Sequence, residues 1–123
     1  MNNKDLMIGD WVLCVGIPIK LNIGQIHNLV CDTEWARTYK CEPVPLTEEI
    51  LKANGFEKRP ESYYNSLSPS YNKDGFALSI CVKKDYFYIY CAMISIQIKY
   101  VHEIQHALRL CGLNELADNF KVD

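Results

Sequence analysis

The chain has 123 residues, which is the length of one domain, since domains cluster near roughly 100–150 residues. Its composition, 49% hydrophobic and 23% charged, is that of an ordinary globular protein and excludes the disordered, collagen-like and coiled-coil classes. The formal net charge of −2 argues against a strongly basic nucleic-acid-binding protein. We therefore expect a single domain over residues 1–123.

The sequence carries no signal for a membrane or for export. No apolar run approaches the roughly 18–20 residues that a membrane-spanning helix needs. Residues 1–5 are polar and do not resemble the start of a secretory signal. We therefore expect a cytoplasmic location and no membrane partner.

The chain contains six cysteines, and no two of them have the C-x-x-C spacing of a zinc knuckle or a redox motif. The cytosol keeps thiols reduced, and small thiols are common in protein cores. We expect reduced, structural cysteines and leave open whether any of them is reactive. Their positions are Cys14, Cys31, Cys41, Cys81, Cys91 and Cys111.

The N-terminal third has the pattern of short β-strands with close turns. A first strand is predicted over residues 11–15, before a turn at Gly16 and Pro18. Two further strands are predicted over residues 24–30 and 36–41. Short strands in a chain of this size favour a curled sheet, so we expect an SH3-like N-terminal part.

A short helix is predicted in the middle of the chain, after the break that Pro43 and Pro45 make. Thr47 is a typical N-cap residue, and Gly55 is typical of the left-handed position that ends a helix. This helix has about two turns. Residues 59–74 are rich in Ser, Pro, Asn and Tyr and are predicted to form a loop or a short irregular strand.

The clearest hairpin joins residues 76–82 to residues 86–91 through a turn. Both segments alternate between apolar and other side chains. In the second segment, Tyr86, Tyr88 and Tyr90 share one face of the predicted strand. A row of this kind is typical of a half-exposed sheet face.

The clearest helix is predicted over residues 98–111, ending at Gly112. A further short turn is predicted over residues 113–120, with Leu116 and Phe120 packing back. The helix has an apolar stripe formed by Val101, Ile104, Leu108 and Cys111.

These elements predict an α+β fold. It consists of a mostly antiparallel sheet with the SH3-like N-terminal part, the short middle helix, and the C-terminal helix packed on the sheet. The expected core residues are Trp11, Val12, Leu13, Ile26, Leu46, Leu51, Phe56, Leu78, Ile80, Phe87, Ile89, Val101, Ile104 and Leu108.

The predicted C-terminal helix carries the pattern H-E-x-x-H, with His102, Glu103 and His106. Residues four apart share a helix face, so two imidazoles can bind one zinc ion. The glutamate between them can then act as general base on a metal-bound water. This pattern is the basis for a zinc-dependent hydrolase hypothesis.

Other features count against that hypothesis. A catalytic zinc needs a third protein ligand, and His27 lies far upstream in a predicted strand. Downstream, the remaining acidic residues are Glu115, Asp118 and Asp123, close to the last residue of the sequence. The two histidines and Arg109 also lie off the apolar stripe, as they would on an ordinary polar helix face.

The tyrosine row supports a second alternative, a single-stranded nucleic-acid binder. Bases stack on aromatic rings, and Tyr86, Tyr88 and Tyr90 follow directly after Lys83 and Lys84. The same lysines also fit a solvated turn that discourages strand addition.

Four short stretches lie in this order and span most of the chain from the first to the last: residues 5–12 (DLMIGDWV), 42–51 (EPVPLTEEIL), 54–56 (NGF) and 99–102 (KYVH), the last followed by Gln105. In these stretches the chain resembles a family of small uncharacterised proteins from Bacteroides-type gut bacteria. These are often encoded in prophage or mobile-element regions and have no established function. Residues 60–74 share little with it.

The resemblance implies a structural C-terminal helix and supplies no catalytic residue. In the family pattern the position of Glu103 is often Gln and that of His106 is often Asn, so this sequence departs from the pattern at both. The resemblance therefore implies that H-E-x-x-H arose from two substitutions on an existing helix.

The sequence favours a non-enzymatic accessory or interaction module without a cofactor. We expect a protein partner or self-association in preference to a nucleic acid. The first alternative is a minimal zinc hydrolase, with His102 and His106 as ligands and Glu103 as base. The second is the single-stranded nucleic-acid binder that uses the tyrosine row.

Overall fold

The computed structural model describes residues 6–31, 41–59, 70–73, 75, 78–91 and 94–122. Two antiparallel sheets and several helices form an α+β fold, as predicted. The chain divides into two compact units. The first contains Met1–Pro45 with Tyr100–His102, and the second contains Leu46–Lys99 with Glu103–Asp123.

The described part of the first unit contains a three-stranded sheet and a helix that follows its second strand. Its strand order is β2-β1-β3, and its elements are β1 (Trp11–Cys14), β2 (Ile17–Lys20), α1 (Ile23–Cys31) and β3 (Cys41–Pro43). Its core is the cluster Leu6, Val12, Cys14, Leu21 and Leu29, with Ile19, Ile26 and Cys41 packed against it. Of the predicted core residues in this unit, Val12 and Val101 are fully buried, whereas Trp11, Leu13 and Ile26 are half-buried.

The strand predicted over residues 24–30 is wrong, because these residues belong to helix α1. Asn22 and Gln25 form a reciprocal capping box: Gln25 N–H donates to Asn22 Oδ1, and Asn22 N–H donates to Gln25 Oε1, both at 2.9 Å. The apolar residues then recur at helical spacing, with Ile26 and Leu29 turned towards the core. The strand predicted over residues 36–41 lies outside the described residues except for Cys41, which begins β3.

The predicted turn at Gly16 and Pro18 is correct for Gly16 and wrong for Pro18. Val15 and Gly16 form the two-residue hairpin turn, with φ angles of 52° and 78°, as in a type I′ turn. Pro18 lies in β2 opposite Leu13. Strand β2 is at the edge of its sheet, where a residue without an N–H donor is tolerated.

The prediction of six reduced cysteines is wrong for one pair. Cys14 and Cys41 are partners in the β1–β3 register and form a disulfide, with a Cα–Cα distance of 4.5 Å. That distance is typical of a non-hydrogen-bonded antiparallel pair, whose side chains approach closely. The other described cysteines are free: Cys31, Cys81, Cys91 and Cys111.

The second unit contains a five-stranded antiparallel sheet in the order β4-β5-β6-β7-β8. Its strands are β4 (Glu57–Arg59), β5 (Ser70–Asn72), β6 (Leu78–Val82), β7 (Phe87–Cys91) and β8 (Ile94–Ile98). The helices are α2 (Glu48–Ala53), α3 (Val101–Leu110) and α4 (Asn114–Asp118); α3 begins within the residues of the first unit. None of the helices in the described residues is long and apolar enough to cross a membrane.

Several predictions are confirmed in this unit. Thr47 Oγ1 accepts from Ile50 N–H at 3.2 Å and caps α2, and Gly55 follows with φ of 85°. The β6–β7 hairpin is present, and Phe120, two residues after the end of α4, is buried. The apolar stripe of α3 is buried at Val101, Ile104 and Leu108 and half-buried just beyond its end at Cys111.

Two boundaries differ from the prediction. The predicted loop over residues 59–74 includes the end of β4 and the whole of β5. The predicted helix over residues 98–111 begins at Val101, because Ile98 belongs to β8. Strand β8 itself was not predicted.

Val15 allows a test of the first hairpin. Its φ of 52° is strained for a β-branched residue, and its side chain is exposed. Val15→Asn supplies the Asn-Gly pair that a type I′ turn favours, so we expect the free energy of unfolding to rise by about 1 kcal/mol. Urea denaturation measures this gain. Val15→Ala removes the same exposed side chain without relieving the φ strain and should give little gain.

Candidate functional site

The sheet of the second unit has one face that is buried at Tyr71, Ile80 and Ile89. The opposite face, which we call the open face, is exposed at Tyr90, Ser95 and Gln97 and buried at Ser70. Paired residues share a face, so the register defines two rows of side chains across the open face. One row is Arg59, Ser70, Cys81, Tyr88 and Gln97. The other is Glu57, Asn72, Ser79, Tyr90 and Ser95.

Three tyrosine rings form a ladder on this open face, which confirms the predicted placement of Tyr86, Tyr88 and Tyr90 opposite Phe87 and Ile89. The centroids of Tyr86 and Tyr88 are 5.3 Å apart in an edge-on arrangement, and those of Tyr88 and Tyr90 are 6.0 Å apart with a 30° tilt. Tyr90 is 44% exposed. The ladder therefore presents aromatic surface to solvent.

The open face carries little net charge. Among the two rows, Glu57 and Arg59 are the charged members, and they form an ion pair at 3.3 Å. Lys83 and Lys84 lie in the β6–β7 turn beside Asp85. The rest of the face consists of hydroxyl, amide, thiol and phenol groups.

The structure places the H-E-x-x-H pattern on α3, as predicted. Glu103 Oε1 accepts a hydrogen bond from Lys99 N–H at 2.9 Å. This is the contact of a glutamate that satisfies a backbone donor at the start of a helix. The ring of His102 stacks on Tyr100 with centroids 6.0 Å apart, and its Nδ1 atom is buried.

Other residues of the zinc hypothesis are dispersed or already engaged. His27 lies on α1, not on the predicted strand. Arg109 Nη2 donates to Asp118 Oδ1 at 3.5 Å, which links α3 to α4. Within the residues that the structure describes, no three His, Cys, Asp or Glu side chains form a group that could hold a metal ion. Zinc binding stays a prediction.

The sequence analysis missed a polar cluster on the buried side of the sheet. The Tyr71 hydroxyl donates to Glu48 Oε1 at 2.6 Å, and Lys58 Nζ lies 3.6 Å from the same oxygen. Burial, and then the Glu48 hydrogen bond, raise the pKa of Tyr71 far above 10.0. The contact places α2 on the buried face. Tyr71 falls in a stretch that is predicted to be a loop, and its three-residue strand is too short to show a period.

A pair of thiols lies on the same buried side. Cys91 ends β7, and Cys111 follows α3. Burial raises the pKa of Cys111 to about 11, and the hydrogen bond with Cys91 adds to the effect. Because the thiolate is the nucleophile, this raised pKa leaves little of the reactive form of Cys111 near neutral pH.

Comparison of the chain with protein-family models, with curated proteins and with solved structures finds no match. The resemblance to the Bacteroides-type family stays a prediction.

The Glu48–Tyr71 contact predicts a pH dependence. The Tyr71 hydrogen bond, and secondarily Lys58, hold the pKa of Glu48 below its usual 4.5 despite partial burial. The unfolded chain then binds more protons in acid, so this stabilisation is present above about pH 4.5 and is lost as the pH falls through the folded pKa.

We therefore expect the free energy of unfolding of the wild-type chain to fall more steeply below about pH 4.5 than that of Glu48→Gln. Urea denaturation at a series of acid pH values measures the two slopes. Glu49→Gln removes a neighbouring exposed carboxylate and serves as the control. Equal slopes for the wild-type chain and Glu48→Gln would contradict the prediction.

The zinc hypothesis has a direct test in the metal content of protein purified without a histidine tag or a chelator. Because Glu103 is held by Lys99 N–H and His102 is stacked on Tyr100, we expect far less than one zinc per chain. About one zinc per chain, lost in His106→Ala, would contradict this expectation.

The free energy of unfolding of two Glu103 variants tests whether the hydrogen bond from Lys99 N–H to Glu103 stabilises the start of α3. Glu103→Gln keeps an oxygen acceptor for Lys99 N–H and should retain most of the stability. Glu103→Ala should cost about 1 kcal/mol.

Proposed function

We propose that the chain is a non-enzymatic interaction module that binds another protein through the open face of its five-stranded sheet. The observation that carries this proposal is the ladder of Tyr86, Tyr88 and Tyr90 on a face with little net charge.

Tyrosine suits protein recognition for a physical reason. Its ring supplies a large contact area with only two side-chain torsions to immobilise, and its hydroxyl can hydrogen-bond at the wet margin of an interface. Tyr90 and its neighbours on the same face, Ser79 and Ser95, combine such a ring with small adaptable polar groups. Tyrosine is also enriched among the residues that dominate binding energy.

The charges favour a protein over a single-stranded nucleic acid. A nucleic-acid groove lines the phosphate backbone with Lys or Arg, and its affinity depends on their number. Across the rows of the open face the cation is Arg59, which Glu57 neutralises at 3.3 Å. Lys83 and Lys84 lie at the turn, beside the ladder.

We place the module in the cytoplasm. Free thiols at Cys31, Cys81, Cys91 and Cys111 support a reducing compartment. The Cys14–Cys41 disulfide is the observation against it, since such a compartment would open that bond.

The test uses a double variant of the ladder, Tyr88→Ala with Tyr90→Ala. A partner protein is first trapped by a photo-crosslinking residue at position 79, next to Tyr90 on the same face, then purified and titrated against the folded variants. We expect the double variant to weaken the dissociation constant by at least about tenfold, since truncated aromatic hot spots cost roughly 2 kcal/mol or more. Circular dichroism verifies that the variants fold.

Leu110→Ala is the matched control. It truncates another exposed hydrophobic side chain, 68% exposed, on α3 instead of the sheet. Its dissociation constant should equal that of the wild-type chain. The proposal is wrong if the ladder variant binds the partner as tightly as this control does. It is also wrong if the wild-type chain instead binds single-stranded oligonucleotides tightly, with an affinity that falls steeply with salt and depends on the ladder.

A further inference from the structure

Strand β8 is an edge of the five-stranded sheet. It pairs with β7, and no described strand pairs with residues 94–98 on its other side; just beyond β8, residues 99–101 pair with residues 44–46, since Leu46 N–H donates to Lys99 O and Val101 N–H donates to Val44 O, both at 2.9 Å. Alternate residues of an edge strand direct their backbone N–H and C=O groups outward, where they can pair with a further strand.

The other edges of the two sheets carry the residues that block such pairing. β4 is charged throughout, with Glu57, Lys58 and Arg59. β2 contains Pro18, and β3 contains Glu42 and Pro43. Charge and proline are the usual protections of an edge strand.

β8 lacks these protections. Its sequence is Ile-Ser-Ile-Gln-Ile, without proline or charge. Ser95 and Gln97 are exposed, Ile96 is half-buried and Ile98 is fully buried. Ile96 and Ile98 therefore face the core, while within the described part of the chain no strand pairs with the outer edge of residues 94–98.

The sequence of β8 is also complementary to itself. When two copies run antiparallel about a two-fold axis at residue 96, Ile96 meets Ile96 and Ser95 meets Gln97 of the second copy. Polar positions then lie opposite polar positions, apolar opposite apolar, and no like charges oppose each other.

We propose that two copies of this chain associate by antiparallel pairing of β8 with β8, centred on Ile96. The five-stranded sheets join into one, and the two open faces become continuous across the axis. This inference rests on the edge of the sheet and does not depend on the proposed function of its face.

The contact is small, so the dimer is weak. A pair of five-residue strands buries far less surface than the roughly 1,200 Å² of a stable interface. We expect a monomer–dimer equilibrium with a dissociation constant on the order of 10–100 μM.

Two charge variants test the pairing and its register. In Ser95→Glu/Gln97→Glu, like charges lie directly opposite each other twice across the axis. In Ser95→Lys/Gln97→Glu, each new lysine lies opposite a new glutamate of the second copy. Both variants place two charges at the same exposed positions, so each is the control for the other.

Sedimentation equilibrium of the full chain measures the dissociation constant. Cys31→Ser is included throughout, because that exposed thiol could otherwise link copies. We expect the like-charged variant to dimerise at least about tenfold more weakly than the oppositely charged one. Circular dichroism and thermal unfolding verify that both variants fold.

Two results would overturn the proposal. One is a wild-type chain that stays monomeric up to about 1 mM, well above the expected dissociation constant. The other is a wild-type dimer whose strength the two charge variants change equally, which would place the contact elsewhere or in another register. A wild-type chain that binds an extended peptide of another protein at β8 but does not associate with itself also stays monomeric, and it would overturn the proposal in the same way.

Discussion

The second unit depends on the burial of one face of its sheet. Tyr71, Ile80 and Ile89 are partners in consecutive strand pairs, and each is at most 1% exposed. Side chains alternate along a strand, so burial of this row fixes which residues face outward. Tyr88 and Tyr90 are on the open face because Ile89, between them, is in the core. A register slip of one residue would bury the ladder and expose the isoleucines.

Polar contacts connect distant segments of the same unit. The Asn54 amide donates to Ile50 O and Lys121 O, both at 2.8 Å, and its oxygen accepts from Lys121 N–H at 2.7 Å. The side chain thus pairs with the backbone of a residue 67 positions away, as a neighbouring strand would. Lys73 Nζ donates to Asn54 O at 2.6 Å. Because Asn54 is largely buried, loss of this amide would leave backbone groups without partners.

The sequence predicted the parts of the fold whose signals are local. Thr47 and Gly55 bound α2 by capping chemistry, and the β6–β7 hairpin follows from alternation over ten residues. The placement of Tyr88 on the open face follows from the same alternation. Strands β4 and β5 have three residues each, too few for a period to be recognised.

Other features were not predicted, either because they depend on tertiary contacts or because a local pattern in the sequence was not recognised. The capping box of Asn22 and Gln25 was readable, and it would have identified α1 as a helix. The alternation of β8 was readable too, but residue 98 was assigned to the following helix. The Glu48–Tyr71 hydrogen bond joins residues 23 apart, and the Cys14–Cys41 bond needs the β1–β3 register, so no local pattern encodes either.

The Cys14–Cys41 bond closes a covalent loop between residues 27 positions apart, with β2 and α1 inside it. In the chain-entropy account, closing a loop of that length stabilises the folded state by about 3 kcal/mol, because the unfolded chain has fewer conformations. Both cysteines belong to the first unit, and the sheet of the second unit contains neither of them. The thiol–disulfide balance of the surroundings therefore acts on the covalent loop of the first unit, whereas the row of core residues beneath the tyrosine ladder contains no disulfide cysteine.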